Sequence, residues 1–303
     1  MFDDAPTPSL ASPARDGVGG LDADRPTIVS LPDIHGYVQP ARSALQTLAD
    51  HPDFDPVVTA DPAEGLQWAG GEDFVLVFNG DLIDRGPDTE AVVGMVTRLA
   101  EQAPDGHVRV TLGNHEMGVL APDRFGWTGW FSAACTDDQR RAFADRIDEG
   151  FVVAAYEGHT VTYAHAGRPE PYETTALNDN LVAAAERLRN AVGTGQYPAT
   201  QLAAIDAYPE VLGLGGATGR GPGAGVAWLD LTHMPEDAPP QVLGHTRHER
   251  PRRKGNVLCA NTIRNTKNRE GGEAVVVETP DRLLALARES SGGVRTYQFT
   301  LPA

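Results

Sequence analysis

Three stretches of the chain repeat one arrangement, in which a short apolar run is followed at once by Asp, His or Asn. The apolar runs are TIVSL at 27–31, FVLVF at 74–78 and VRVTL at 108–112. The polar clusters that follow them are PDIHG at 32–36, GDLIDRG at 80–86 and GNHE at 113–116. Apolar, β-branched runs of this length predict buried strands. Because ligands bind at the carboxyl ends of the strands in open α/β sheets, the clusters are expected to converge at one edge.

Segments with helical spacing separate these strands. Apolar residues recur every three or four positions over 41–49 and again over 92–100, as on one face of a helix. The resulting β-α-β-α-β order predicts an α/β fold with a mixed sheet covered by helices. The last third of the chain predicts further strands, including one at 283–287 despite its good helix formers.

The chain is long enough for one large domain, with 303 residues and 41% hydrophobic content. Residues 1–26 are rich in Pro, Ser, Asp and Gly and are expected to form a disordered tail, with the domain spanning 27–303. Residues 118–150 break the alternation and predict an insertion. Its four aromatic residues at 125–131 form either a satellite core or a cap whose ring faces select the substrate. The glycine-rich stretch 213–225 predicts a flexible loop.

The charge and cysteine content limit the possible partners. The chain has 25 Lys and Arg against 42 Asp and Glu, a formal charge of −17, which speaks against a broad nucleic-acid or membrane surface. Cys135 and Cys259 allow at most one disulfide and have no metal-binding spacing, so reduced thiols are expected. No signal peptide and no apolar window of membrane-spanning length is present in the sequence. A cytoplasmic protein is predicted.

Two further motifs, HAG at 165–167 and GHT at 244–246, also follow apolar stretches. Converging carboxylate, imidazole and amide groups suit Mn, Fe or Zn, and two such cations are the usual arrangement for phosphate chemistry. In this order the five motifs resemble the phosphoprotein phosphatase family of calcineurin-like metallophosphoesterases. That family includes bacterial serine/threonine phosphatases and diadenosine tetraphosphate hydrolases. The resemblance covers residues 27–262 and implies mixed β-sheets that are sandwiched and flanked by helices.

The resemblance also implies roles for individual residues. Two divalent cations, with Mn expected and Fe or Zn as alternatives, would have as ligands Asp33, His35, Asp81, Asn114, His165 and His245. His115 would be the general acid and Asp84 would orient it. Arg85, together with Asn114, would contact the substrate phosphate, for which the planar fork of an arginine is well suited.

The activity implied by the resemblance is hydrolysis of phosphomonoesters through in-line attack by a metal-bridging hydroxide. Phosphoserine and phosphothreonine in proteins are the leading substrates, and a small phosphoester is also compatible. The alternative enzyme is a dinucleoside polyphosphate hydrolase in which the aromatic residues at 125–131 stack on a base. A third hypothesis is a catalytically silent binding protein of the same fold.

The match to the family has departures. Pro32 and Ala166 stand where many members have glycine, and the second phosphate-binding arginine has no clean counterpart. Its three candidates are Arg168, Arg220 and Arg247. Glu116 is expected to brace its turn rather than contact metal, and His159 is expected to cap a hairpin.

Overall fold

The structure, a computed structural model, describes residues 9–300. Its strands are β1 (Thr27–Leu31), β2 (Val58–Asp61), β3 (Gly65–Trp68), β4 (Phe74–Phe78), β5 (Val108–Thr111), β6 (Val152–Val153), β7 (Ala155–Glu157), β8 (Thr162–Ala164), β9 (Gln241–Leu243), β10 (Arg252–Lys254), β11 (Val257–Cys259), β12 (Ala274–Thr279), β13 (Arg282–Arg288) and β14 (Val294–Phe299). Its helices are α1 (Ser12–Asp16), α2 (Val38–Leu45), α3 (Thr89–Gln102), α4 (Asn114–Leu120), α5 (Pro122–Phe125), α6 (Phe131–Ala134), α7 (Asp137–Asp148), α8 (Thr174–Ala191), α9 (Tyr197–Ala207), α10 (Pro209–Leu212) and α11 (Ile263–Thr266).

Two mixed sheets form the body of the molecule. The first has seven strands in the order β14-β13-β12-β1-β4-β5-β6, and the second has five in the order β10-β11-β9-β8-β7. In the first sheet, β1, β4, β5 and β6 pair in parallel. In the second sheet, β8, β9 and β11 pair in parallel. Each sheet therefore gathers the carboxyl ends of several strands at one edge.

The alternation of side chains along the strands explains how the layers pack. In β4, Val75 and Val77 belong to one apolar cluster together with Tyr163 and Val242 from the second sheet, so this face packs sheet on sheet. The opposite face contributes to a larger cluster that includes apolar residues of the helices. A strand buried on both faces reads as a continuous apolar run, as FVLVF does.

The helix after the second polar cluster has the apolar spacing that was predicted for residues 92–100. In α3 the buried apolar residues are Val92, Met95, Val96 and Leu99, which lie on one face of the helix. This face belongs to the main apolar cluster together with Leu76, Phe78 and Val110, so the helix packs on the first sheet. The predicted α/β fold with mixed sheets flanked by helices is confirmed, as is the strand at 283–287. No helix among residues 9–300 is long and apolar enough to cross a membrane.

The expectation of a disordered tail over 1–26 is wrong for its later part, and residues 1–8 lie outside the described residues. Ser12–Asp16 is a helix whose Arg15 is buried. The Arg15 guanidinium donates to Asp16 over 2.6 Å and to Asp179 of α8 over 2.8 Å. Arg109 also donates to the Ala14 carbonyl over 3.0 Å. Asp179 and Arg109 lie far away in sequence, so the composition of the segment could not show these contacts.

We expect Arg15→Ala to lower the free energy of unfolding by about 2–3 kcal/mol, because it leaves the buried Asp16 carboxylate without its cation. Urea denaturation followed by circular dichroism measures the change. Arg187→Ala, at an exposed position of α8, is the control and should stay within about 0.5 kcal/mol of the parent. Equal effects of the two substitutions would show that the N-terminal segment contributes nothing to stability.

Candidate metal centre

The six predicted ligands lie together where the carboxyl edges of the two sheets meet. Asp33 and His35 follow β1, Asp81 follows β4, and Asn114 opens α4 after β5. The second sheet contributes His165 after β8 and His245 after β9. All six side chains are buried.

One carboxylate oxygen occupies the middle of this cluster. Asp81 Oδ2 lies 3.3 Å from His35 Nε2 and 3.6 Å from His165 Nε2. On the first side, His35 Nε2 is also 3.9 Å from Asp33 Oδ2. Asp81 can therefore serve two adjacent groups of ligands, which is the geometry that a bridging carboxylate requires.

The second group of ligands is equally tight. His165 Nε2 lies 3.3 Å from Asn114 Oδ1 and 3.1 Å from His245 Nδ1. Two sets of residues could each hold a metal ion, because the potential ligand atoms within each set all lie within 4.8 Å of one another. One set is His35, Asp81 and His115, and the other is Asp81, His165 and His245. The first set includes His115, for which the sequence predicted a different role.

Hydrogen bonds on the far side of two imidazoles fix their orientation. His35 Nδ1 lies 3.0 Å from the Ile83 carbonyl, and His165 Nδ1 lies 2.7 Å from the Asn79 carbonyl. Since a carbonyl only accepts, each Nδ1 carries the proton and each Nε2 presents its lone pair to the cluster. Outer hydrogen bonds of this kind are typical of metal-ligating histidines.

The electrostatics of the cluster fit a cation. Burial, and then the charge on Asp81, raise the pKa of Asp33 well above its usual value. Burial works in the same direction on Asp81, but the imidazoles of His165, His115 and His35 lower its pKa below the usual value. Divalent cations would relieve the repulsion between two buried carboxylates, so the donor set fits the metals that the family requires.

The imidazoles are held in the form that binds metal. Burial lowers the pKa of His35 and of His245 well below the usual value, and it also lowers the pKa of His165. A neutral imidazole has a free lone pair, whereas an imidazolium has none.

The backbone at the site is unusual. Among residues 9–300, seven residues other than glycine have positive φ. Six of them belong to the predicted site: Asp33, His35, Asp81, Asp84, Arg85 and His245. Left-handed backbone at such residues costs about 1 kcal/mol or more each, and it concentrates at functional sites.

The predicted acid pair is present and has a third member. His115 Nδ1 lies 2.7 Å from Asp84 Oδ2. The Asp84 carboxylate also accepts from the backbone N–H of Ser132 over 2.9 Å and from its hydroxyl over 2.7 Å. Arg85 Nε–H donates to His115 Nε2 over 3.1 Å, so Nε2 is an acceptor here and the ring proton lies on Nδ1, toward Asp84. Ser132 comes from the 118–150 segment, and no motif in the sequence points to it.

Glu116 braces the turn, as expected. Its carboxylate accepts from the backbone N–H groups of Asp81 and Leu82, both over 2.8 Å. Burial and the charge on Asp81 raise the pKa of Glu116 to about 8. His159 instead contacts the Pro26 carbonyl over 2.8 Å and is absent from both sets of potential ligands.

The three candidate arginines separate clearly. Arg220 Nε lies 2.8 Å from His245 Nε2, which places this guanidinium at the edge of the cluster. Arg168 pairs with Glu210 over 3.3 Å. Arg247 lies close enough to Arg85 to affect its ionisation. Burial and the charges on Arg247 and Arg220 lower the pKa of Arg85, although nearby carboxylates act in the opposite direction.

Besides Ser132, the sequence analysis missed two residues of the site. Asn261 follows β11 and donates to Asp33 Oδ2. Arg264 follows in α11, and its pKa is lowered by burial and by the charges on Arg85 and Arg247. Both belong to one more polar cluster after an apolar strand, so the pattern that identified the other clusters could have found them.

The aromatic residues of the 118–150 segment lie beside the acid pair. The ring centroids of Trp127 and Trp130 are each 4.9 Å from that of His115. The Arg85 guanidinium lies 4.5 Å from the centroid of Trp130.

Comparison with known proteins agrees with this geometry. The profile of the calcineurin-like phosphoesterases matches residues 26–193, more than half of the chain. The chain belongs to the calcineurin-like phosphoesterase family. It is therefore a hydrolase of a metal-dependent family that acts on phosphate esters.

Solved structures share the fold of this calcineurin-like phosphoesterase. A cold-active protein-tyrosine phosphatase of a psychrophilic Shewanella is 20% identical, covers 97% of this chain and 87% of its own, and has a TM-score of 0.58. A protein serine/threonine phosphatase from Saccharomyces cerevisiae is 14% identical over 92% of this chain and 82% of its own, with a TM-score of 0.45. A putative diadenosine tetraphosphatase is 16% identical over 92% and 96%, with a TM-score of 0.42. The likeness to the first of these structures shows the fold alone, and the other two have TM-scores too low to support a conclusion.

For this calcineurin-like phosphoesterase we expect Asp81→Asn to lower the affinity for Mn²⁺ at least 100-fold, because the amide removes the charge that faces both groups of imidazoles. Calorimetric titration and metal analysis of dialysed protein measure the change. Asp230→Asn is the control, since Asp230 is a carboxylate near Arg220 that lies outside both groups of ligands. Equal Mn²⁺ binding by parent and Asp81→Asn would contradict the placement of the centre.

Proposed function

We propose that the chain hydrolyses phosphomonoesters at a centre of two divalent cations, with Mn first and Fe or Zn as alternatives. The six ligands are Asp33, His35, Asp81, Asn114, His165 and His245. The single observation that supports this proposal best is the position of Asp81 Oδ2 between His35 and His165. Two divalent cations held by these residues would lower the pKa of a water between them and so supply the nucleophile that attacks phosphorus.

The residues around the centre supply the remaining steps. When Arg85 turns to the phosphate, His115 takes up a proton at Nε2 and gives it to the leaving oxygen, while Asp84 holds Nδ1 and keeps the ring in position. Ser132 supports Asp84 with two hydrogen bonds, so the acid pair has little freedom to turn. Arg85 and Asn114 bind the phosphate oxygens. Arg220, at the opposite edge beside His245, is the proposed second phosphate-binding arginine.

A phosphorylated side chain of a protein is the proposed substrate. The resemblance favours phosphoserine and phosphothreonine, and the similar solved structures include proteins described as tyrosine and as serine/threonine phosphatases. Attack at phosphorus is the same in all three cases, so the leaving-group side of the site decides among them. A dinucleoside polyphosphate hydrolase is the second candidate, because the half-exposed rings of Trp127 and Trp130 could stack on a base.

Product analysis with Mn-reconstituted protein tests the proposed function. We expect release of inorganic phosphate from phosphopeptides, and no release of nucleoside diphosphate from diadenosine tetraphosphate. The opposite pattern of products would establish the second candidate. If neither substrate nor any small phosphoester is turned over by metal-loaded protein, the silent binding protein becomes the better description.

We expect His115→Ala to lower kcat for phenyl phosphate by roughly two to four powers of ten, the usual contribution of a positioned acid. The loss should be much smaller for 2,4-dinitrophenyl phosphate, whose leaving group needs no proton. Steady-state kinetics measure both values, and metal analysis should show unchanged Mn²⁺ content. His159→Ala is the control because the His159 ring bonds to the Pro26 carbonyl and lies outside both sets of potential ligands. Loss of metal in His115→Ala would instead make His115 a ligand.

A further inference from the structure

Four aromatic side chains form a continuous surface from the acid pair to the second group of ligands. This aromatic wall consists of Phe125, Trp127, Trp130 and Trp228. The centroid of Phe125 lies 4.8 Å from that of Trp127 and 5.2 Å from that of Trp228. The wall ends at His115, 4.9 Å from Trp127, and at His245, 6.4 Å from Trp228.

The aromatic wall is not sealed inside the protein. Phe125, Trp127 and Trp130 are only partly buried, although Phe125 and Trp127 also pack against the main core. The neighbours of their rings include the His115 imidazole and the Arg85 guanidinium, both of which belong to the proposed machinery. The wall is therefore a surface that a substrate can contact, in addition to being part of a packed layer.

The wall is held in place before any substrate arrives. Gly118 of α4 leaves room for Trp127, since a Cβ there would lie 3.2 Å from the indole ring. Arg140 donates to the Val119 carbonyl over 2.6 Å and to the Ala133 carbonyl over 3.0 Å, which ties α7 to α4 and α6. Ser132 joins the same segment to Asp84. A fixed ring surface binds a flat group without the cost of ordering itself.

We propose that the aromatic wall is a leaving-group subsite that selects phosphoesters whose leaving oxygen is attached directly to an aromatic ring, with phosphotyrosine as the natural example. This inference rests on the proposed function, because His115 marks the leaving side only if it protonates the leaving oxygen. The leaving oxygen must lie within hydrogen-bond reach of His115 Nε2. A ring bonded to that oxygen then meets Trp127 or Trp130, whereas a nucleobase is held farther away by its ribose.

A groove of about 460 Å³ continues from this subsite. Its lining includes Arg85, Trp130 and Phe131 at one end and the exposed carboxylates Asp88 and Glu90. This volume is in the range of sites that hold several groups, so the chain beyond the aromatic ring can lie there. The two carboxylates disfavour a second phosphate at that position, which favours a phosphotyrosine residue over a nucleoside polyphosphate.

The test compares ratios of kcat/KM, so that the intrinsic reactivity of each ester cancels between parent and variant. Mn-reconstituted parent, Trp127→Leu and Trp130→Leu are assayed with a phosphotyrosine peptide, the same peptide carrying phosphoserine, and adenosine diphosphate. Leucine keeps part of the apolar volume, and circular dichroism with metal analysis checks that each variant is folded and loaded. Trp68→Leu is the control, because Trp68 lies on β3 with its indole N–H bonded to the Gly71 carbonyl.

We expect Trp127→Leu and Trp130→Leu each to lower the ratio of kcat/KM for phosphotyrosine to that for phosphoserine by about 3- to 10-fold, which corresponds to the free energy of one aromatic contact. Trp68→Leu should leave this ratio unchanged. If Trp130 served only to support Arg85, both substrates would lose activity equally and the ratio would not move, which would overturn the inference. A parent that prefers adenosine diphosphate would overturn it as well. Absence of turnover with all three substrates would contradict the proposed function itself.

Discussion

The repulsion between two buried carboxylates is the constraint on which this site depends. Asp33 and Asp81 are withdrawn from water and are close enough that the charge of one raises the pKa of the other. The fold offsets part of this cost with fixed donors, since the backbone N–H of His245 donates to Asp33 over 2.8 Å and that of His115 donates to Asp81 over 2.9 Å. Each donor comes from a residue of another strand end. These residues therefore position one another, and bound cations would complete the neutralisation.

The turns that carry these residues are tight because two of them pack against each other. Gly80 has a φ of 72°, and a Cβ on Gly113 would lie 2.3 Å from the backbone nitrogen of Asp81. Only glycine allows this approach of the β4 turn to the β5 turn. The left-handed backbone at six polar residues of the site is maintained by the strands and helices on either side, whose apolar packing is extensive. The packing of the apolar core thus provides the stability that keeps the strained backbone of the site in place.

Much of the fold and of the site could be predicted because the signals are local. The apolar runs before Asp33, Asp81 and Asn114 appear as β1, β4 and β5, and parallel pairing then brings the clusters that follow them to one edge.

What could not be predicted depends on contacts between distant segments. Arg220 differs from Arg168 only in which partner it meets, and no sequence spacing encodes that choice. Ser132 is an ordinary serine until the fold places it on Asp84. The helix at 12–16 is ordered by partners in α8 and β5, so the Pro- and Gly-rich composition of residues 1–26 was misleading.

The two sheets contribute different halves of the ligand set, and this division has a consequence for the molecule as a whole. Asp33, His35, Asp81 and Asn114 belong to one sheet, whereas His165 and His245 belong to the other. Cations bound between them, as proposed, would act as a cross-link, so part of their binding free energy would hold the sheets together. By mass action, the folded fraction would then depend on the concentration of free metal. A shortage of the cation would lower the amount of folded protein as well as its activity.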